Sequence, residues 1–218
     1  MTIVSEKVRN HIQKPFGQGV LLLLCVIYVF VIPLFSPSVA YIASLSTLSL
    51  IFYSSALSVE IGRGKFLIFA SATILTELAS QLLNWDFLLF ITRVTSNVFL
   101  VVIVYKFILQ IANQREVNLK SILEVMNGYF LLGIVYLTLV IFIAQIMPGA
   151  YKHMSADLPL LSDYVYFTFI TLTTVGYGDI TPALPITKIL SVIIAVSGQF
   201  YVAVIIAIIV GKFGAQNR

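Results

Sequence analysis

The residues whose types and spacing point most directly to chemistry lie in one short run, 174–179, which reads Thr-Val-Gly-Tyr-Gly-Asp. Gly176 and Gly178 can adopt dihedral angles closed to other residues, so successive carbonyl oxygens can point the same way. The Thr174 hydroxyl can add an innermost oxygen, while the two bulky side chains point outward into packing. Rings of such oxygens from four loops can replace the hydration shell of a potassium ion. The predicted ion-binding residues of this run are Thr174, Val175, Gly176, Tyr177 and Gly178.

A short apolar segment comes directly before this filter run and must position it. Residues 162–173 begin with Ser162 at the helix N-cap and Asp163 in the first turn, where the helix dipole favours an anion. The segment is too short to cross a bilayer, which takes about 20 residues. Non-helical backbone is tolerated at membrane depth only where protein buries it or it lines a water-filled path. We therefore expect a re-entrant pore helix that returns as the filter loop.

The composition predicts that the chain lies in a lipid bilayer. Of its 218 residues, 60% are hydrophobic and only 10% are charged, and the mean hydropathy is +1.03. A soluble domain carries roughly a quarter charged residues. The net charge of +4 does not indicate a nucleic-acid partner, because the basic residues fall at the ends of apolar runs. The sequence holds no nucleophile or metal-ligand cluster, so we expect no enzymatic activity and no cofactor beyond K+ as the permeant ion.

Six apolar runs supply the helices that must hold this loop. Each is close to the 17–25 residues needed to cross the hydrocarbon core, and each should be helical because lipid offers no partner for backbone polar groups. The runs cover residues 18–35, 39–59, 65–83, 87–111, 128–147 and 185–210. The predicted fold is an all-α integral membrane protein with six transmembrane helices, and with the pore helix and filter loop between helices 5 and 6.

The basic residues predict the orientation of these spans. With a cytoplasmic N-terminus, ten of the 13 Lys and Arg residues face the cytoplasm, two face outward and Arg93 lies within a span. This distribution satisfies the positive-inside rule, so we expect both termini in the cytoplasm and a multi-pass protein of the plasma membrane. The predicted divisions are an N-terminus at 1–17, a four-helix domain at 18–111, a linker at 112–127, a pore domain at 128–211 and a tail at 212–218.

The linker at 112–127 has apolar residues at helical spacing beside charges. Its apolar positions are Leu119, Ile122, Leu123 and Met126, and its charged positions are Arg115, Glu116, Lys120 and Glu124. This pattern favours an amphipathic helix along the inner membrane surface. A solvated linker is the alternative.

The run Thr173–Asp179 resembles the signature of the potassium-channel superfamily. The order of six spans, with a re-entrant loop before the last, is similar to the six-helix branch of that superfamily, in the manner of a prokaryotic-type channel. The resemblance implies a pore-forming subunit that conducts K+ passively, with K+ bound at Thr174, Val175, Gly176 and Tyr177. It also implies a homotetramer, because one filter run supplies a quarter of a pore. A hetero-tetramer with a close relative, or an unknown regulatory partner, stays open.

Two departures from the family pattern lie in the pore helix. Tyr166 and Phe167 stand where relatives often carry two tryptophans, and Ile170 stands where some carry a glutamate. The resemblance implies that Tyr166, Phe167 and Asp179 support the filter. We expect the Tyr166 hydroxyl to hold Asp179, as the related tryptophan would.

Residues that bear on gating are predicted at two further places. Gly198 falls in the last span where relatives have a hinge glycine, and a small residue that permits close helix packing is the alternative. The first four spans resemble a voltage-sensor domain, but the fourth carries only Arg93 where a sensor has a row of arginines. We expect Arg93 to pair with Glu77 in the preceding span, and the response to voltage to be weak or absent. Modest voltage sensing through Arg93 is the alternative.

Two other classes of membrane protein share parts of this pattern. A potassium-coupled transporter or translocating subunit usually has a degenerate filter and internal repeats, and this sequence has neither. A non-conducting regulatory subunit would not need an intact filter. A passive potassium channel is therefore the leading hypothesis, and the sequence does not indicate its gating stimulus.

Overall fold

A computed structural model describes residues 16–59, 62–83, 86–114, 118–154 and 160–216. Within those ranges the fold is all-α apart from one two-stranded sheet. The helices are α1 (Phe16–Leu34), α2 (Pro37–Ser58), α3 (Arg63–Leu82), α4 (Asp86–Asn113), α5 (Leu119–Ile146), α6 (Leu161–Leu172) and α7 (Pro185–Gln216). The last turns of α1 are a π-helix, Ile27–Val31, and a 3-10 helix, Ile32–Leu34. The antiparallel strands are β1 (Tyr151–Lys152) and β2 (Thr181–Pro182).

Several of these helices can cross a membrane. In the described part of the chain, α1, α2, α4, α5 and α7 contain stretches long and apolar enough to do so. Helix α3 has 20 residues, but it is not among them and it includes Arg63, Lys65 and Glu77. The prediction of an all-α membrane protein is therefore confirmed, while the count of six spans stays a prediction.

The predicted linker differs from the structure. Residues 112 and 113 are the last of α4, and α5 already begins at Leu119, where the Asn118 side chain accepts a hydrogen bond from the Ser121 amide at 3.0 Å. The described stretch is therefore divided between two long helices rather than forming its own helix, and residues 115–117 lie outside the described ranges. The polar side of this stretch also does not face water, because Glu124 and Asn127 are fully buried.

Helix α6 is held between α5 and α7 by close packing. A Cβ atom added at Gly133 of α5 would lie 2.5 Å from the Phe169 ring of α6. One added at Gly128 would lie 2.2 Å from the Tyr201 hydroxyl oxygen of α7, and that hydroxyl donates to the Val125 carbonyl at 2.8 Å. Glycines therefore let α5 approach both neighbours closely enough to fix the position of α6.

Candidate filter loop and its surroundings

The short helix α6 ends where the predicted filter begins. It has 12 residues, too few to span a bilayer, and it starts at Leu161 with Leu160 at the N-cap. Ser162 therefore lies inside the first turn, and its predicted role as the N-cap is wrong. Asp163 lies in the first turn as predicted. Thr173 ends the helix, with its amide donating to the Phe169 carbonyl at 3.0 Å.

Backbone hydrogen bonds turn the chain sharply after Thr173. The Val175 and Gly176 amides both donate to the Ile170 carbonyl, at 2.9 and 3.1 Å. In a trans peptide unit the N–H points opposite to the preceding C=O. Because two successive N–H groups converge on one acceptor, the carbonyl oxygens of Thr174 and Val175 both point away from α6. Two consecutive carbonyls therefore lie on one side of the loop, as coordination of a dehydrated cation requires.

Left-handed backbone recurs at every second residue of the loop. The φ angles are 60° at Thr174, 53° at Gly176 and 84° at Gly178. Glycine adopts this region at little cost, as predicted for the two glycines. Thr174 was not predicted to adopt it, and a non-glycine residue there costs about 1–2 kcal/mol. The sequence signal for the left-handed backbone at Thr174 is the two-residue spacing of Gly176 and Gly178, because the same spacing continued towards the N-terminus falls on Thr174.

The outer end of the loop is held by a hydrogen bond from α6. The Tyr166 hydroxyl donates to the Asp179 carboxylate at 2.5 Å, which is the contact expected from the sequence. The other carboxylate oxygen accepts from the Ile180 amide at 3.1 Å. The hydrogen bond raises the pKa of Tyr166 to about 12 and lowers the pKa of Asp179 below its ordinary value. The pair is therefore a neutral donor and a charged acceptor at neutral pH.

Phe167 occupies a different place from its neighbour Tyr166. Its ring is buried and packs edge-on against Tyr151 of β1, with the ring centroids 4.9 Å apart. Tyr151 pairs with Pro182 across the sheet, just beyond the loop. Phe167 therefore contacts Tyr151, which in turn pairs with the segment after the filter. Tyr166, by contrast, contacts Asp179 directly.

Helix α7 contacts the inner end of the loop at two adjacent residues. A Cβ atom added at Gly198 would lie 2.1 Å from the Leu172 carbonyl oxygen, so only glycine allows this approach. The next side chain, Gln199, donates from Nε2 to the Thr174 hydroxyl oxygen at 3.1 Å. The structure gives Gly198 a packing contact, the alternative weighed against a hinge. Sequence reasoning missed Gln199, because no local pattern connects it with Thr174.

Arg93 and Glu77 line one cavity of about 340 Å³ between the first four helices and helices α5 and α6. The Arg93 guanidinium donates to the Gln145 side-chain oxygen of α5. One turn further along α4, the Asn97 side-chain oxygen accepts from the Thr138 hydroxyl of α5 at 2.6 Å. Arg93 is therefore part of a polar seam between α4 and α5, and its predicted pairing with Glu77 stays a prediction.

A buried polar network joins the helices at the other end of that seam. Glu124 accepts from Gln18 of α1 at 3.3 Å, from Gln110 of α4 at 3.1 Å and from Gln114, just after α4, at 2.7 Å. Lys120 lies 3.1 Å from the same carboxylate. A buried charge with this many partners is satisfied. The network explains why the polar residues predicted to face water on a linker lie inside the protein.

The inner end of α7 is attached to α4. The Lys212 ammonium donates to the carbonyls of Ile111 and Gln114. A cation is favourable at a helix C-terminus because the last carbonyls there lack helical partners. Movement of the inner end of α7 therefore requires these contacts to break or to move with it.

The part of the chain that contains the loop is similar to known channels. Residues 129–214 match a family described as ion channel. Two pore potassium channel c of Oryza sativa subsp. japonica is 32% identical over 78 residues, which is 36% of this chain and 17% of that protein. A voltage-gated potassium channel of Aeropyrum pernix is 29% identical over 85 residues, 39% of this chain and 29% of that protein. Two-pore potassium channel 5 of Arabidopsis thaliana is 36% identical over 88 residues, with coverages of 40% and 20%.

These similarities are partial. The matched stretch is at most 29% of the length of any of these three relatives, and no solved structure matches the chain significantly. The matched residues 129–214 include most of α5 and all of α6, the loop and Gly198. Together the matches show that this part of the chain is similar to ion channels, and the three relatives are named as potassium channels.

Proposed function

We propose that this chain is the pore-forming subunit of a homotetrameric channel that conducts K+ passively and selectively. The observation that carries the proposal is the direction of the loop carbonyls. Two successive amides converge on the Ile170 carbonyl, and left-handed backbone recurs at Thr174, Gly176 and Gly178. This geometry suits rings of backbone oxygens that replace the hydration shell of K+. K+ would be the permeant ion, with Thr174, Val175, Gly176 and Tyr177 as its ligands.

Exposed apolar residues support assembly around a central axis. In a single chain, 53% of Val175 and 74% of Tyr177 are exposed. Their predicted outward packing needs neighbouring loops, which three further copies of the chain would supply. Phe200 and Val192 of α7 are also exposed. One loop provides one quarter of each oxygen ring, so the smallest closed pore with complete rings contains four chains.

The proposed membrane arrangement has six spans. Helix α3 is the sixth, long enough to cross although its charges lower its hydropathy. The distribution of basic residues supports cytoplasmic termini and hence an inward-facing Lys212. The plasma membrane is the proposed location. Helices α1 to α4 then form the voltage-sensor-like domain, and α5 to α7 form the pore domain.

The proposal is tested by ion flux and subunit count on purified full-length protein. Proteoliposomes loaded with K+ are expected to take up Rb+ and to exclude Na+, and native mass spectrometry in detergent should give four chains per particle. The matched control is protein carrying Gly178→Ala, which should assemble without taking up Rb+. Equal uptake of Rb+ and Na+ would contradict the selectivity, and a stable dimer that conducts would contradict the tetramer.

Opening is expected to depend weakly on voltage, and Arg93→Gln should leave the slope of the conductance–voltage curve almost unchanged. One charge crossing the full potential contributes about 2.3 kcal/mol per 100 mV, and steep sensors move three or four charges per subunit. Arg93 is in addition bound to Gln145 of α5, so it is held at the seam between α4 and α5. The measurement is the conductance–voltage curve in symmetric K+.

Lys106→Gln, which removes a charge from the same helix near its cytoplasmic end, serves as the control. A steep curve in the intact protein that becomes shallow only in the Arg93 variant would show that α4 senses voltage. That result would contradict a structural role for Arg93.

Tyr166→Phe is expected to shorten openings and to make the current more sensitive to external acid. The Tyr166 hydrogen bond lowers the pKa of Asp179, so its stabilising effect is present at neutral pH and is lost only as pH falls through that lowered pKa. Without the hydroxyl, the pKa returns toward the ordinary value of 3.8, and inhibition by acid should begin at higher pH. The measurement is single-channel open time against external pH.

Asp179→Asn provides the reference state for this titration. It removes the charge that acid would neutralise, so its open times should be short and independent of pH over the same range. Identical acid sensitivity in the wild type and in Tyr166→Phe would show that this hydrogen bond does not support the filter.

A further inference from the structure

The contact between Gln199 and Thr174 joins the inner helix to the innermost residue of the loop. The Gln199 amide nitrogen donates to the Thr174 hydroxyl oxygen at 3.1 Å. The preceding residue, Gly198, brings the backbone of α7 onto the Leu172 carbonyl, and Leu172 is the last residue of α6. The close packing of α7 against the end of α6 therefore places the Gln199 side-chain amide beside Thr174.

The donor leaves the threonine oxygen able to bind a cation. A threonine hydroxyl has one hydrogen to donate and two lone pairs that accept. The Gln199 N–H occupies one lone pair, and the other remains for an ion. Threonine is β-branched and has few χ1 rotamers, and Thr174 already has a φ of 60°. A single hydrogen bond is enough to select the rotamer that holds the oxygen in place.

We propose that Gln199 is a positioning residue of the innermost ion site. It orients the Thr174 hydroxyl oxygen and so sets how tightly that ring binds a dehydrated cation of the size of K+. This inference rests on the proposed function, because the ring exists only where four loops meet. Gln199 acts through Thr174 and needs no contact with the ion itself.

The alternative role for Gln199 is a polar residue of the inner wall that affects ions without Thr174. The two roles differ in their dependence on the hydroxyl. If Gln199 positions that oxygen, its removal has no effect once the oxygen is gone. If Gln199 acts on the ion directly, its removal has the same effect on ion binding whether or not the Thr174 hydroxyl is present.

Block by Ba2+ from the cytoplasmic side is the readout, because Ba2+ is close to K+ in size but carries twice the charge. Gln199→Met keeps an unbranched side chain and removes the donor, and it is expected to weaken this block about tenfold, the effect of losing one neutral hydrogen bond. The preference for K+ over Na+ should be retained. Ser197→Ala is the control, because its hydroxyl donates only to carbonyls of its own helix, Ile193 and Ile194, and it should leave the block unchanged.

The same substitution is then made in Thr174→Val, or in Thr174→Cys if the valine variant carries no current. Sulfur is a weak acceptor, so Gln199→Met should have no further effect in either background. A change in Ba2+ block of less than twofold in the native background would overturn the proposal. An equal loss with and without the hydroxyl would overturn it as well. Wild-type protein without K+ selectivity would instead refute the proposed function, because each of these comparisons requires a wild-type current that is selective for K+.

Discussion

Replacing Gly178 by alanine is expected to abolish selective K+ current. The φ angle of Gly178 is 84°, a region that costs an L-residue about 1–2 kcal/mol. In the proposed tetramer, the backbone strain of four such residues would add up to about 4–8 kcal/mol at one filter. Within one chain, no described residue other than the two chain neighbours has an atom within 4 Å of the added Cβ, so the effect comes from backbone strain rather than from a clash. The measurement is K+ current and the permeability ratio of K+ to Na+ in planar bilayers.

Gly149→Ala is the matched control for that experiment. Gly149 has a φ angle of 78° and, among the described residues, equally open surroundings, but it lies in the loop before β1. Both substitutions introduce the same kind of strain, and only one lies in the filter. Gly149→Ala should lower stability by a similar amount per chain and leave selectivity unchanged. Selective current in Gly178→Ala would show that left-handed backbone at this position is not needed to align the carbonyls.

Gly198→Ala is expected to disrupt the pore domain. The added methyl group would lie 2.1 Å from the Leu172 carbonyl oxygen, a backbone atom that cannot move without moving the end of α6. Overpacking of a tight contact costs about 1–3 kcal/mol, and occasionally more. Because the contact lies beside the filter loop, we expect loss of current together with a lower melting temperature of the assembled protein.

Gly211→Ala, on the same helix, separates packing from helix stiffening. Apart from its chain neighbours and the nearby backbone of its own helix, no described residue lies within 4 Å of a Cβ at Gly211. Alanine there should therefore be neutral or stabilise by up to about 1 kcal/mol through its higher helix propensity. If Gly198 served only as a hinge, Gly198→Ala would keep the thermal stability of the wild type and change only the open probability. That outcome would contradict the packing role.

The sequence was sufficient to predict elements whose signal is local. The apolar runs that became α1, α2, α4, α5 and α7 are visible in composition alone, because a span must be long and apolar. The filter run is visible because glycine at every second position has few other uses. The bond between Tyr166 and Asp179 was expected from the resemblance to potassium channels, in which a tryptophan at the related position would bond the aspartate after the filter.

Contacts between distant residues could not be predicted in the same way. Gln199 meets Thr174 only because Gly198 brings two helices together, and nothing near Gln199 in the sequence encodes that approach. The charged residue Glu124 was expected to face water, but it is fully buried and accepts from Gln18 and Gln110 on other helices. Periodicity distinguishes the two sides of a helix and does not say which side meets protein.

The central claim is that this loop selects K+, and the most direct test is a reversal potential. Purified full-length protein is placed in a planar bilayer with K+ on one side and Na+ at the same concentration on the other. If the loop carbonyls form rings that bind a dehydrated cation, as proposed, the current should reverse far from zero, at a potential of the sign expected for a membrane permeable to K+. A reversal potential near zero, from protein that forms open channels, would contradict the account.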